Sequence, residues 1–543
     1  MSFSLSPGIT STETDLSAII PNVSASNAAT VGQFMWGVVE EVMEADNEQQ
    51  LVNLTGKPTN AVYTDFMCAS SFLAYATGLF FVRVVHSDAL NASATATAGG
   101  TGQLIKNLSV YETLVFSSSP NLWVAKYPGA LGDNVGVAWA DATGFNAVDS
   151  NDDPTWPWAG LFSQAPSSGA FHIVVYDAGG GITGTIGSVL EKYTNSSLTP
   201  GSLNFDGTTA YVPAQINQSS AWVWVGKLSL LTGTSVGVQL AGGDDGSAIV
   251  DADRAVGWDL FADPDSTTIS LAFAAGADVT GSTNIIQNVA EERLDCVAFV
   301  SPMLTDVVNK TTAEAAAAAT LVTRTSYGSS SYAFMDSCYK LMYDRYNDVN
   351  RYIPLNGDVA GLCARATNTN DAWWSPAGVN RGIFKNCIKL SYIQNKTIRD
   401  QLYQQGVNPC ISQPTTGPML WGDKTLQSVA SAFDRIGVRR LFIVLEKSIA
   451  IAAAGELFDF NDAITRVKFV NEIEPFLTSI QGRRGLQQFQ VICDTTNNTP
   501  EVIASNEFVA SIWILPNYSI NFINLNFICV NSAVQFTENV VTT

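Results

Sequence analysis

The chain has 543 residues, 46% of them hydrophobic and 14% charged, with a formal net charge of −21. That length exceeds one ordinary core and fits about three to four domains. An acidic balance of this size excludes a general nucleic-acid binder, which needs a basic footprint. Charge so far below the usual quarter of residues points to surface hidden against neighbours.

Residues 1–22 are rich in Ser, Thr and Pro and read as an extended arm that orders when it binds a neighbour. Residues 23–89 and 288–360 read as one discontinuous α/β domain. Its first part holds a strand over 31–37, a short helix over 47–56, a longer helix over 63–78 and a buried strand over 79–85. Residues 90–287 change texture to Gly, Ser, Thr and Asp with short alternating strands over 135–139, 171–176 and 221–225, a β-rich insertion of one or two subdomains. The α/β pattern then resumes with a strand over 296–300, an Ala-rich helix over 311–324 and a helix over 332–346.

Residues 361–530 read as a separate C-terminal α/β domain. A turn over 377–388 and a helix over 397–405 lead to an amphipathic helix over 425–436 and a buried strand over 440–445. A long helix over 463–481, strands over 488–493 and 509–515, and a β-prone stretch over 520–530 come next; residues 531–543 form a polar C-terminal arm. The fold class is α/β multidomain, with α/β inner domains, a β-rich outer insertion and extended N- and C-terminal arms.

Charge is unevenly placed. From Gly361 onward there are 15 Lys and Arg against 14 Asp and Glu, leaving 13 against 35 before it. An acidic front and a neutral back suggest one end for solvent and one for contacts. Eight cysteines are scattered without a C-x-x-C pair, several in apolar runs, so buried reduced thiols and assembly in a cytoplasm are expected. The N-terminal stretch lacks the basic n-region and apolar core of a signal peptide, and the longest apolar runs fall far short of a membrane span.

Catalytic signals are weak. Residues 179–184 match G-x-G-x-x-G after a strand, with Asp206 downstream, but the residues after the glycines form only a weak helix broken by Gly187, and a glycine-rich hairpin loop is the better account. Residues 417–425 approach a P-loop with one residue too many, and Pro418 removes an amide, so a turn capping a helix is favoured. The acidic run 242–246, with Asp251 and Asp253, lacks the spacing of a calcium loop. Only His86 and His172 exist, which leaves no histidine triad or zinc site.

The distinctive set is Asp371-Ala-Trp-Trp-Ser-Pro-Ala-Gly-Val-Asn-Arg-Gly382, Gly417-Pro-Met-Leu-Trp-Gly-Asp-Lys-Thr-Leu426 and Val438-Arg-Arg-Leu-Phe-Ile-Val-Leu-Glu-Lys447. In this order it resembles the C-terminal domain of contractile phage tail sheath proteins. Leu402-Tyr-Gln-Gln-Gly-Val-Asn-Pro409, Phe489-Gln-Val-Ile-Cys-Asp-Thr-Thr-Asn-Asn-Thr-Pro500, the opening Ser6-Pro-Gly-Ile-Thr10 and Lys126-Tyr-Pro-Gly-Ala-Leu-Gly-Asp-Asn134 extend the resemblance. It is strong over 360–530, fair over 1–135 and poor over 140–290. Gly422-Asp-Lys-Thr departs from the family's commoner small-residue-Arg-Thr pattern, which leaves Lys424 without an assigned contact.

The resemblance implies a structural subunit of the virion, assembled in the host cytoplasm, with no cofactor and no catalysis. Subunits would stack in helical rings around the tail tube and contract to drive it through the host envelope. Partners would be other copies of the chain, the tube protein, and baseplate and tail terminator proteins, without nucleic-acid contact or membrane insertion. Strand exchange between subunits is expected from Phe3, Leu5 and Ile9 at the front and Ile520, Phe522, Leu525 and Phe527 at the back. Arg439, Arg440, Arg483 and Arg484 are expected at tube or subunit contacts, with one of the first two open to a purely structural role. Trp373, Trp374, Pro376, Gly378, Asn380, Arg381 and Gly422 form the structural motif. A tailocin or injection-system sheath shares this physics; a surface adhesion protein or nucleotide-binding enzyme is the remote alternative.

Overall fold

The computed structural model describes residues 24–114 and 120–525. Seven strands form the central sheet in the order Val407–Asn408, Ala333–Asp336, Val297–Val300, Leu271–Phe273, Ala28–Gly32, Leu79–Arg83 and Val42–Ala45. All neighbours are parallel except the last pair, which is antiparallel. Near-continuous apolar strands such as Val-Ala-Phe-Val at 297–300 suit a sheet covered on both faces. One face packs on the helices Tyr63–Leu73 and Asn356–Thr369 through Phe66, Phe72, Val359 and Leu362. The other face packs on Trp258, Phe261, Ile285, Ala317 and Leu402.

The chain leaves this sheet after Arg83 and returns at Leu271. Between them lie a four-stranded antiparallel sheet (Ser235–Gln239, Val135–Ala140, Ala170–Asp177, Ser188–Ser197) and a three-stranded one (Ser93–Ala94, Trp123–Ala125, Val223–Val225). They share a core built on Trp123, Trp139, Ile173 and Val175. Arg83 anchors the departure point. Its guanidinium donates to the carbonyls of Phe34 and Gly37 at 2.8 Å and of Pro128 at 2.7 Å. Burial without a contacting carboxylate lowers its pKa to about 10.

Three sequence expectations are corrected. Residues 332–346 are not a helix but the strands Ala333–Asp336 and Tyr339–Asp344. The first joins the central sheet and the second pairs with Val349–Pro354, so partner strands override the local pattern. Residues 440–445 are not a strand; they lie inside the 19-residue helix Ile436–Ala454, whose apolar character runs well beyond strand length. Residues 425–436 hold no amphipathic helix, only the short turn Ala432–Asp434, because backbone bonds from Leu426 to Ala333 and from Thr425 to Asp434 pin the segment to the sheet end. The β-prone stretch shows no strand over 520–525, and its remainder, with Phe527, lies outside the described residues. The first strand spans Ala28–Gly32, slightly ahead of its expected place. The helix Asn356–Thr369 crosses residue 360, and Val407–Asn408 extends the central sheet, so chain from both sides of that position shares one core. The cysteines among the described residues are free thiols, buried except for the half-buried Cys387.

Asp336 closes its strand inside the core, accepting hydrogen bonds from Ser301 Oγ at 2.5 Å and from the Cys338 amide at 3.2 Å. Burial, more than any other influence, raises its carboxyl pKa to about 8. A group that holds its proton more tightly when folded stabilises the fold fully below its unfolded value and loses that contribution as pH rises through its folded value. Thermal unfolding of the monomer between pH 4 and pH 8 should therefore show stability declining with pH, and Asp336→Asn should flatten the decline. Parallel curves for the two proteins would mean that the buried carboxyl does not hold its proton.

Candidate functional site

The block 371–382 folds into a tight turn against the hairpin Cys410–Gln413 and Gly417–Leu420. The Gly378 amide donates to the Leu420 carbonyl at 3.0 Å, and the Leu420 amide to Gly382 at 2.8 Å. Gly378 has φ +91°, a conformation that favours glycine. A Cβ on Gly422 would stand 2.7 Å from Asn408 Oδ1, which explains the glycine there. Pro376 is buried, Asn380 is exposed, and the Arg381 guanidinium lies 5.1 Å from the Trp374 ring while its Nε donates to Ser375 O.

Trp373 and Trp374, both half-buried, form one wall of a groove of about 970 Å³. Trp421, 40% exposed, Tyr403 and the stretch 517–522 complete it. Arg381, Lys396, Arg399 and Arg484 line it against Asp400 and Asp423. Ser519 Oγ donates to Asp423 Oδ2 at 2.6 Å, and Asn521 Nδ2 donates to the Tyr403 hydroxyl at 2.7 Å. These bonds hold the start of the C-terminal segment along the groove. Burial, reinforced by Asp423, raises the Tyr403 phenol well above its ordinary range, so it stays a neutral hydroxyl.

Beside the groove stands an isolated two-stranded antiparallel sheet, Leu486–Ile492 with Ser511–Pro516. It alternates with period two. Phe489, Val491, Ile512 and Ile514 pack on the helices Ile436–Ala454 and Ala463–Gly482 through Leu441, Phe469, Ile473 and Leu477, while Trp513 and Leu515 face outward, 65% and 44% exposed. Asn517 clamps its base through the carbonyls of Arg484 and Leu486. Beyond it Ile520, Phe522, Ile523 and Leu525 are 71–81% exposed, apolar side chains with no core of their own.

The expected arginines divide. Arg439 and Arg440, expected at a tube or subunit surface, are buried inside the chain. Arg440 donates to Ala25 O at 3.0 Å, Cys363 O at 3.1 Å and Thr367 Oγ1 at 2.6 Å; Arg439 bonds Ser331 Oγ and lies 3.9 Å from the Phe433 ring. The reason is the change from strand to helix, which turns both side chains onto the rest of the subunit. Arg483 and Arg484 are exposed, Arg483 paired with Asp371 at 2.5 Å and placed over the Trp373 ring. Phe3, Leu5 and Ile9 lie outside the described residues.

Sequence reasoning missed an apolar tip. Leu457, Phe458 and Phe460, in the loop between the two helices, and Ile464 and Val467 in the first turns of the second are 58–102% exposed. Three large apolar residues within 457–460, between two helical stretches, were the available signal.

The catalytic alternatives lose their ground locally. In the glycine-rich loop, Asp177 accepts from the amides of Gly180, Ile182 and Thr183, so the donors that would cradle a phosphate are already used. The P-loop-like segment is a strand hairpin with no helix after it, and Lys424 Nζ donates to Tyr403 O. In the acidic run, Asp244 and Asp245 accept from the amides of Gly246 and Ala130. His86 pairs with Asp253 and His172 with Gln164 O, in separate places. Among the described residues no group of three His, Cys, Asp or Glu could hold a metal ion.

Residues 263–426 match the family model described as "Phage tail sheath protein central domain" and residues 428–529 the "Phage tail sheath C-terminal domain". The chain is 31% identical to the tail sheath protein of Salmonella phage ViI, covering 99% of this chain and 98% of that one. It is 30% identical to the tail sheath protein of Enterobacteria phage T4, covering 98% and 99%. Among solved structures, its fold is similar to the contracted PVC sheath complex of an extracellular contractile injection system (TM-score 0.53, 13% identity, 97% and 98% covered). It is also similar to the contracted helical sheath of the anti-feeding prophage (TM-score 0.51, 11% identity, 97% and 99% covered).

The two arginine pairs give a direct comparison. Arg440→Ala removes three hydrogen bonds, takes the donor from the buried Ala25 carbonyl, and should cost about 3 kcal/mol in urea unfolding. Arg483→Ala removes an exposed pair and should cost under about 1 kcal/mol. Equal costs would remove the internal role assigned to Arg440.

Proposed function

The chain belongs to the phage tail sheath protein family, a structural subunit of the contractile tail and not an enzyme, and we propose that it assembles helically around the tail tube by exchanging strands between copies. The carrying observation is the two-stranded sheet Leu486–Ile492 and Ser511–Pro516, with no third strand among the described residues and an apolar segment leading away from it. A two-stranded sheet is marginal in water, and each outer edge offers a row of amides and carbonyls to an incoming strand. The terminal segments supply strands of matching character: Phe3, Leu5 and Ile9 at one end, Ile520, Phe522 and Leu525 at the other. Because donor and acceptor surfaces differ, the contact is heterologous and propagates as a helix instead of closing into a pair.

In this reading the chain after residue 428 forms the inner contact region, and the acidic antiparallel sheets between Arg83 and the return at Leu271 face outward. Arg483, Arg484 and the apolar tip at 457–467 are the available contacts for the tube or for adjacent copies. Baseplate and terminator proteins would cap the two ends of the assembly. Contraction then moves subunits as near-rigid bodies while the exchanged strands keep the lattice connected, so no nucleotide is consumed.

Two experiments test this. A chain lacking residues 1–20 should remain a soluble folded monomer yet form no tubes under negative-stain microscopy; normal tubes would overturn strand exchange at the front. Ile520→Asp with Phe522→Asp should leave monomer stability within about 0.5 kcal/mol, since both side chains are exposed. The same double variant should abolish tube formation.

A further inference from the structure

Arg399 lines the groove beside Trp374 and Trp421, and its Nε is buried without a hydrogen-bond partner. A guanidinium nitrogen left dry and unbonded is costly unless an acceptor arrives. The described chain begins close by. Ala25 packs on Ala372 and Val444, and Ala372 directly precedes Trp373, the first wall of the groove. Residues 1–23, which lead into Ala25, carry Glu13 and Asp15, no Lys or Arg, and apolar Phe3, Leu5, Ile9 and Leu16. The groove has the complementary character, with four basic residues against two acidic ones and three tryptophans in its walls.

We propose that in the unassembled subunit the N-terminal arm docks into its own subunit's groove, with Glu13 or Asp15 accepting from Arg399 and apolar side chains resting on the tryptophans. This rests on the strand-exchange reading and adds a control to it. The arm that must reach a neighbour is held at home until polymerisation offers it a better site, so free subunits present fewer loose strands to one another. The cis contact has the advantage of effective concentration, since the arm is tethered next to its groove. A partner must outbid that contact by supplying a full strand edge.

The test uses the full-length monomer and a protease that cuts after glutamate, with release of the fragment ending at Glu13 followed by mass spectrometry. The wild-type arm should be cut slowly, at a rate independent of protein concentration. Arg399→Ala, which alters no bond within the fold, should expose Glu13 and speed cleavage roughly tenfold, the factor expected for loss of one charge-assisted hydrogen bond. Trp421→Ala should act in the same direction. Equal cleavage of wild type and Arg399→Ala would overturn the docking. Protection that rises with protein concentration would overturn it differently, by showing that the groove takes the arm of a second copy. Loss of tubes on removing the arm, together with unaltered cleavage in Arg399→Ala, would leave strand exchange standing and remove only the cis contact.

Discussion

A buried guanidinium that gathers backbone carbonyls from distant segments is the interaction on which this subunit depends. Arg440 joins the helix Ile436–Ala454 to Ala25, where the chain enters the central sheet, and to the helix Asn356–Thr369. Arg83 fastens the insertion at Pro128 to the sheet it interrupts. Arg254 bonds the Val31 carbonyl and pairs with Asp65 at 2.9 Å, and Arg324 holds the carbonyls of Gln405 and Leu426. Five donors in one rigid plane let a single side chain satisfy several loop ends at once. Desolvation opposes each charge, and the hydrogen bonds to the carbonyls offset it. These ties join the parts of the subunit to one another.

Those internal uses change what the composition says about the outside. Nine of the 28 Lys and Arg residues are buried among the described residues, against six Asp, so the exterior is more acidic than the total charge suggests. Arg381, Lys396, Arg399 and Arg484 nonetheless converge on one groove, next to the hairpin whose edges are open. Attraction for an acidic, apolar segment is therefore local, while the remaining surface repels copies of itself at long range. Charge of this kind limits indiscriminate association.

The sequence located long, strongly patterned elements and failed where partners decide. The helix Ala463–Gly482 and the strands Leu79–Arg83 and Leu486–Ile492 fall where periodicity places them. Tyr332–Tyr346 misled because apolar and aromatic residues there satisfy a helical spacing as well as two strands, and only the neighbouring strands choose between them. Arg439 and Arg440 misled for a related reason: a β-branched run after two arginines looks like a strand opening at a surface. Length was the discriminating signal, since apolar residues continue to Ala454. The groove could not be read at all, because its walls come from residues 373, 399, 421 and 521, which only the fold brings together.

The proposed strand exchange would be limited in strength, and that limit would suit contraction. A six-residue strand added to the Ser511–Pro516 edge gains about six hydrogen bonds at roughly 1 kcal/mol net each. Ordering the same six residues costs about 6–12 kcal/mol. The bonds alone therefore set register without holding the strand. Three buried apolar side chains, such as Ile520, Phe522 and Leu525, add about 2 kcal/mol each and bring the balance to near zero or a few kcal/mol in favour. Under that proposal one exchanged strand would be weak enough to form and re-form during assembly, and the lattice would hold because every subunit would both give and receive. Side-chain burial, which a single Asp substitution can remove, becomes the deciding term in an interface whose geometry is written in the backbone.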